Sequence, residues 1–412
     1  MIEFDKFILD NGLRVIVHKD STTPIVSFNI LYDVGARDEK SDKTGFAHLF
    51  EHLMFEGSKN IPNYDTPLQK AGGENNAFTN NDITNYYITI PKENIETAFW
   101  LESDRMLELA LTQEKLDIQK NVVIEEFKQR YINQPYGDWN LLLRKLAYKK
   151  HSYQWPTIGK EISHIEQATL KEVNEFFFKH YAPNNAILVV AGDVDTKQIK
   201  SLTEKWFGDI PARDIAKRNI ITEPIQTEYR KMEVERDVPV DTLYQAYHMC
   251  DRKSDDYYAT DLISDILSNG KSARLNQRLV KEQKLFSQIN AYITGDIDPG
   301  LFIVTGNLSK GVTFKQAQEA VRAELNSMMN EKVDERELKK VQNKVEANLV
   351  YSEINVLNKA MSLAYFELLG NANMINKETQ KYQQVTAEQI QKAAKSLFLE
   401  ENCSELIYHS KQ

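Results

Sequence analysis

The order of strands and helices repeats once along this chain of 412 residues, and that repeat constrains the fold more than any other feature. Alternating apolar residues predict strands, and apolar residues spaced three and four apart predict helices. In the first half these patterns predict a hairpin over 4–18, strands over 25–32, 76–80, 84–90 and 186–191, and helices over 93–110, 113–131 and 168–180. The second half predicts strands over 230–236, 242–248, 286–294, 301–307 and 404–409, and helices over 256–268, 274–283 and from 314 onward. We therefore expect an α+β fold of two duplicated α/β domains. Each domain should be a mostly antiparallel sheet packed with helices, because the strands come in adjacent pairs.

The segment between the two repeats has the composition of a linker. It carries Pro211 and Pro224, mixed charges and no regular period. The predicted organisation is an N-terminal domain over 1–210, a linker over 211–228 and a homologous C-terminal domain over 229–412.

Composition excludes several classes of protein. The net charge is −9 and no long basic stripe is visible, which argues against nucleic-acid binding. The two cysteines, Cys250 and Cys403, form no disulfide framework. No run of apolar residues is long enough for a membrane span. The N-terminus lacks the pattern of a signal peptide, which predicts a cytoplasmic protein, or a periplasmic one if such a peptide has been removed.

The stretch His48-Leu49-Phe50-Glu51-His52 carries the chemistry of the first half. Residues four apart on a helix project from one face, so His48 and His52 could offer two imidazole nitrogens to one metal ion. Two histidines and one carboxylate leave an open position for water on zinc, whose pKa the metal lowers to about 7. The adjacent Glu51 could then accept the water's proton. This arrangement suits hydrolysis of an amide bond.

A third ligand is expected from the predicted helix 113–131. Its Val122-Val123-Ile124 run indicates a buried turn, where a carboxylate is costly unless it meets a cation or a metal. Either Glu125 or Glu126 could be that ligand, because periodicity does not choose between them.

Several motifs together resemble the pitrilysin/insulinase family of zinc peptidases, which includes the mitochondrial processing peptidase. They are TGFAHLFEHLMFEG at 44–57, GGENNAFT at 72–79, VVIEE at 122–126, NQPYG at 133–137 and YAPNNA at 181–186. The match continues weakly through SARL at 272–275, and the length resembles that of the short members that work as dimers.

The resemblance assigns roles to individual residues. It implies Zn²⁺ held by His48, His52 and Glu126, with Glu51 as the general base, and it makes Glu125 an exposed neighbour. The segment Asn76, Ala77, Phe78 and Thr79 resembles the edge strand that pairs with an extended peptide substrate. The alternative for this segment is an ordinary core strand.

Two positions depart from the family pattern. Gln119 stands where some members carry a second glutamate, which implies tuning of the site rather than its loss. In the second half, active members carry an arginine and a tyrosine in a segment that corresponds to residues 278–287. Here that segment begins at Arg278 but ends without a tyrosine, and Tyr292 lies too far along. The resemblance therefore implies a heterodimer whose homologous subunit supplies the pair, or a homodimer that works without it.

These observations predict a zinc-dependent endopeptidase that hydrolyses extended or unfolded peptides. The alternative is a non-catalytic scaffold or partner subunit on the same fold, and a scaffold would be expected to lose part of the metal motif. A metal hydrolase for another bond has no specific residue in its favour.

Overall fold

The computed structural model describes residues 1–215, 218–219 and 221–411. Its strands form two sheets. The first sheet contains β1 (Asp5–Ile8), β2 (Arg14–Lys19), β3 (Ile25–Tyr32), β4 (Glu74–Thr79), β5 (Thr84–Pro91) and β6 (Ala186–Gly192). The second sheet contains β7 (Arg230–Arg236), β8 (Thr242–His248), β9 (Phe286–Ile293), β10 (Leu301–Leu308) and β11 (Cys403–Ser410).

Helices pack around both sheets. Those of the first half are α1 (Phe46–Leu53), α2 (Asp65–Lys70), α3 (Ile95–Leu107), α4 (Gln113–Phe127), α5 (Trp139–Ala147), α6 (Ile162–Glu166), α7 (Leu170–His180) and α8 (Thr196–Phe207). Those of the second half are α9 (Tyr257–Ser268), α10 (Phe314–Asn330), α11 (Glu335–Ser352), α12 (Val356–Leu368), α13 (Glu378–Gln383) and α14 (Ala387–Leu397). Within the described residues, no helix combines the length and the apolar character that crossing a bilayer requires.

The strand orders of the two sheets reveal the duplication. The first sheet runs β1-β2-β6-β3-β5-β4, and the second runs β7-β11-β8-β10-β9. Without β1, the two orders correspond strand for strand. Each sheet has one parallel pair, β2 with β6 and β7 with β11, and its other pairs are antiparallel. The predicted α+β fold of two duplicated, mostly antiparallel domains is confirmed.

Two predicted helices contain a looser turn than expected. The helix predicted over 113–131 is α-helical to Phe127 and continues as a π-helix over Lys128–Ile132. The helix predicted over 274–283 is a π-helix over Asn276–Glu282. Periodicity did not separate these forms, because one wider turn changes the apolar spacing very little.

The chain divides into two compact units, each made of three separate segments of the sequence. Unit 1 comprises Met1–Phe127, Trp155–Ile220 and Val350–Lys377, and unit 2 comprises Lys128–Gln154, Ile221–Leu349 and Glu378–Gln412. Residues 128–154 thus group with the second unit, and Val350–Lys377 with the first. The predicted division into 1–210, 211–228 and 229–412 follows the order of the repeats and stays a prediction. Within its linker, residues 216–217 and 220 lie outside the described part of the chain.

Strand β3 is an interior strand of the first sheet, and successive side chains of its sequence IVSFNILY point to opposite faces of that sheet. On one face, the ring of Phe28 meets that of Phe99 edge-on at 4.8 Å and stacks near that of Phe207. On the other face, Leu31 belongs to a buried cluster with Leu363 of α12. The sheet is therefore covered on both faces.

In unit 2, helices likewise cover both faces of the sheet. The main core combines side chains of α9, α10 and α14 with those of the strands. On the opposite face, the indole of Trp139 from α5 stacks on the ring of Tyr244 at 5.1 Å, with the planes 6° apart.

A buried ion pair in unit 1 supports the segment that follows α1. The Arg105 and Glu102 side chains are each 1% exposed and are joined by two hydrogen bonds of 2.6 and 2.7 Å. The guanidinium also lies over the rings of Phe55, Tyr64 and Tyr86. Removing one partner of such a pair leaves the other charge buried without compensation.

We predict that Arg105→Ala lowers the free energy of unfolding by about 3–5 kcal/mol, because Glu102 would be left as an unpaired buried charge. Denaturant unfolding measures this change. Lys59→Ala removes an exposed ion pair with Glu108 and should leave the unfolding midpoint unchanged. An equal, small effect of the two substitutions would contradict the prediction.

Candidate metal centre

Helix α1 places His48 and His52 one turn apart on the same face. Their ring centroids are 4.9 Å apart and their planes are nearly perpendicular, at 89°. The two side chains are 12% and 25% exposed, so the pair lies in a partly open position. The other face of the helix is buried, and there the ring of Phe50 stacks on that of Tyr181 at 4.8 Å. Apolar packing on that face therefore directs both imidazoles outward.

Helix α4, which packs against α1, supplies the Glu126 carboxylate to this pair. Glu126 Oε2 lies 3.5 Å from His48 Nε2 and 3.6 Å from His52 Nε2. These separations exceed the usual range of an N–H···O hydrogen bond. Tetrahedral zinc with ligand bonds of about 2.0–2.1 Å keeps neighbouring ligand atoms roughly 3.3 Å apart. The spacing therefore matches three groups around one ion better than a hydrogen-bonded cluster.

Among the residues that the structure describes, His48, His52 and Glu126 are the one group of three His, Cys, Asp or Glu side chains whose donor atoms all lie within 4.8 Å of one another. Glu125, the alternative ligand, is exposed and is not a member of the group. The structure thus brings together the expected ligands. Two imidazoles and one carboxylate are a donor set suited to zinc with a fourth position left for water.

Glu51 lies on α1 between the two histidines in sequence and is half-buried. Burial is the main cause that raises the pKa of the Tyr86 phenol, and the negative charge of Glu51 raises it further. Burial also raises the pKa of Tyr181, and Glu51 again adds to the effect. Glu51 therefore lies in the electrostatic range of two buried phenols, on the helix that carries both imidazoles.

Strand β4 forms an edge of the first sheet and lies against α1. Residues Asn76, Ala77, Phe78 and Thr79 all belong to it, and their exposure alternates along the strand. The Ala77 N–H donates a 2.8 Å hydrogen bond to the Asn76 side-chain oxygen. The Phe78 side chain is exposed. Within the described residues β4 pairs with β5 alone, so it is an edge strand of the sheet.

The start of α1 is capped from outside the helix. The N-cap residue is Gly45, and the hydroxyl of the preceding Thr44 lies 2.8 Å from His164 Nδ1. Glu39 fulfils the capping role instead, since it accepts hydrogen bonds from the Gly45 and Ala47 N–H groups. Sequence reasoning missed Glu39 because it lies outside the helix, next to Asp38 and Lys40, and no pattern distinguishes it from these neighbours.

Gln119, at the position where some family members carry a second glutamate, bonds to the end of the α1 segment. Its side-chain amide donates a 2.5 Å hydrogen bond to Glu56 Oε1. A neutral amide is compatible with a carboxylate at Glu56, whereas a second carboxylate there would meet like charge. Gln119, which departs from the family pattern, is therefore compatible with the neighbouring carboxylate of Glu56.

Arg278 and Tyr292 are the two residues of the second half that were considered for the family's arginine and tyrosine. Arg278 lies in the π-helix and donates to Glu324 Oε2 at 2.7 Å, so its guanidinium is already paired within unit 2. Tyr292 lies on β9, and burial is the main cause that raises its pKa to about 12.

Comparison with known proteins agrees with the fold. The family model described as "Insulinase (Peptidase family M16)" matches residues 14–160, which contain His48, Glu51, His52 and Glu126. The model described as "Peptidase M16 inactive domain" matches residues 167–345. The first match lies within the first repeat, and the second begins in the last part of that repeat and extends over most of the second.

Relatives extend this similarity over most of the chain. Zinc protease PqqE of Helicobacter pylori is 30% identical over 350 residues, which are 83% of this chain and 78% of that protein. The crystal structure of a protease from Helicobacter pylori superposes with a TM-score of 0.92 at 26% identity, over 99% of this chain and 100% of that one. The beta subunit of the mitochondrial-processing peptidase of Saccharomyces cerevisiae is 26% identical over 206 residues, 49% of this chain and 44% of that protein. The chain belongs to the M16 family of metallopeptidases, the pitrilysin/insulinase family.

We predict that Glu126→Ala weakens zinc binding more than about 100-fold, because loss of a direct ligand should cost at least as much as loss of an outer-shell partner. Titration against a chelating indicator measures this change. Glu125→Ala is the matched control, since it removes the exposed neighbouring carboxylate and should leave affinity unchanged. The reverse result would move the ligand by one residue.

Proposed function

We propose that this protein is a zinc-dependent endopeptidase that cleaves extended or unfolded peptides. The observation that carries the proposal is the convergence of donor atoms of His48, His52 and Glu126 within 4.8 Å, with Glu51 on the same helix as the two histidines. The names of its relatives support zinc as the metal. The residues present fit this ion in number, type and spacing.

The roles of the side chains follow from their positions. Zinc held by the two imidazoles and Glu126 would lower the pKa of a water and polarise the substrate carbonyl. Glu51 would accept the proton of the attacking water and pass it to the departing amine nitrogen. Its half-buried position leaves the carboxylate accessible to a substrate while limiting its contact with bulk solvent.

Substrate alignment is assigned to β4. An edge strand has backbone groups available to an added strand, which reads the substrate main chain more than its side chains. The residues Asn76 to Thr79 lie on this edge, beside α1. A folded domain rarely presents a free strand of this kind, which favours extended or unfolded peptides.

A homologous partner subunit is part of the proposal. No tyrosine ends the segment 278–287, and Arg278 is paired with Glu324. One relative is itself a subunit, as its name states. A heterodimer in which the second subunit supplies an arginine and a tyrosine accounts for these observations, and a homodimer is the alternative.

A non-catalytic scaffold on the same fold is the competing function. Such a protein has no need to keep a metal-binding set together with an adjacent base. Here all four side chains are present, and the three ligands have the spacing of a zinc site. This favours the enzyme.

We predict that Glu51→Gln retains zinc but lowers kcat by at least about 100-fold, because the general base is lost while the ligands stay. Metal content and cleavage of an unstructured peptide are measured on the same sample. Glu125→Gln, the control, changes an exposed carboxylate of α4 and should keep full activity. Normal turnover by Glu51→Gln would remove Glu51 from the mechanism.

We predict that the purified chain alone cleaves peptides weakly and that a homologous subunit carrying the arginine and tyrosine restores cleavage. Size-exclusion chromatography with activity assays across the mixing ratio measures this. The control is the same subunit with its tyrosine changed to phenylalanine. Full activity of the chain as a homodimer would contradict the two-subunit arrangement.

A further inference from the structure

The helix that carries both histidines begins at a residue that cannot cap it. The N-cap Gly45 has no side chain, and its φ of +88° lies in the left-handed region that favours glycine. A Cβ there would approach the carbonyl oxygen of Ile158 to 2.7 Å, so no other residue fits. The first backbone N–H groups of α1 therefore need an acceptor from elsewhere in the chain.

Glu39 provides that acceptor from six residues before the N-cap. One carboxylate oxygen accepts from the Ala47 N–H at 2.8 Å, and the other accepts from the Gly45 N–H at 2.9 Å. The second oxygen also accepts from the Trp155 indole N–H at 3.1 Å, a donor that it shares with the Ala36 carbonyl oxygen. The residue is only 8% exposed, so the three donors and the carboxylate form a closed cluster.

The cluster acts next to a metal ligand. Ala47 directly precedes His48, and α1 has only eight residues, Phe46–Leu53. A helix of two turns has little stability of its own, and its ends therefore depend on tertiary contacts. An anchored first turn fixes where His48 Nε2 meets Glu126 Oε2.

We infer that Glu39 is a positioning residue for the metal centre: it holds the first turn of α1 so that His48 and His52 share one ion with Glu126. This role rests on the proposed function. Glu39 touches neither substrate nor metal. It acts through the backbone of Gly45 and Ala47, in the way that outer-shell groups orient the ligands of other metal sites.

Glutamine cannot replace Glu39, although it has the same shape. Burial raises the pKa of Glu39 to about 8, while the N–H groups of Ala47, Gly45 and Trp155 act in the opposite direction. Both the protonated and the ionised carboxyl have two oxygens that can accept. An amide has one accepting oxygen, so its NH₂ group would face an N–H donor.

The test compares Glu39→Gln with Glu223→Gln in the full-length protein. Glu223 accepts from three backbone N–H groups, those of Lys149, Lys150 and His151, within unit 2. The control therefore breaks the same kind of interaction in the other unit, with no bond to the backbone of α1. Zinc affinity, kcat, KM and thermal midpoint are measured for each, with zinc affinity determined by competition with a chelator.

We expect Glu39→Gln to weaken zinc binding by about 10–100-fold and to lower kcat at saturating zinc, with KM little changed. Glu223→Gln should lower the thermal midpoint but leave zinc affinity at the wild-type value. If Glu39→Gln loses thermal stability yet binds zinc like the wild type, the cap is structural only and the inference is wrong.

Two further results separate the possible failures. If Glu39→Gln does not fold, Trp155→Phe decides, because it removes one donor to Glu39 and keeps the aromatic ring. A several-fold loss of zinc affinity in that variant supports the inference, and wild-type affinity refutes it. If the wild-type chain takes up no zinc at all, the metal site fails and the positioning role fails with it. If the wild type binds zinc and Glu126→Ala does not, an unaffected Glu39→Gln refutes only the positioning role.

Discussion

The proposed chemistry depends on the contact between two helices, α1 and α4. Each alone offers an incomplete donor set: α1 contributes two imidazoles and α4 contributes the Glu126 carboxylate. Their packing brings Glu126 Oε2 within 3.5 and 3.6 Å of the two Nε2 atoms. Because zinc ligands tolerate little displacement, the elements that hold α1 matter as much as the ligands themselves. Those elements include the Phe50 stack on Tyr181, the Glu39 cap before the helix and the buried Arg105 pair after it.

In this duplicated fold, the residues that stabilise the two repeats differ from those proposed to carry the chemistry. Both repeats build the same strand order, yet among the described residues the donor set lies only in the first. In the second repeat, the comparable core is closed by apolar packing of α9, α10 and α14. A chain of this length needs no metal for stability. The proposed metal ligands of the first repeat are therefore best explained by function.

Much of this could be predicted from the sequence, and the exceptions have physical causes. Strands with clear alternation, such as 25–32, 230–236 and 242–248, have the predicted bounds. The histidine pair could be predicted because its spacing is local to one helix. Periodicity alone could not choose between Glu125 and Glu126, since adjacent residues on a helix differ by about 100° in direction and the orientation of α4 is set by packing. Glu39 was not foreseen, because a cap supplied from outside a helix leaves no periodic trace.

The hydrogen bond from the Ala77 N–H to the Asn76 side chain affects how readily other chains associate with the edge of β4. An open strand edge is a template on which any extended chain can add, including another copy of the same protein. A donor already satisfied by its own neighbour is a poorer template. A chain that adds to this edge must displace the Asn76 side chain before it can accept a hydrogen bond from the Ala77 N–H. This requirement disfavours non-specific association and aggregation along the edge. A chain that fits well enough to make several bonds at once would still be accepted.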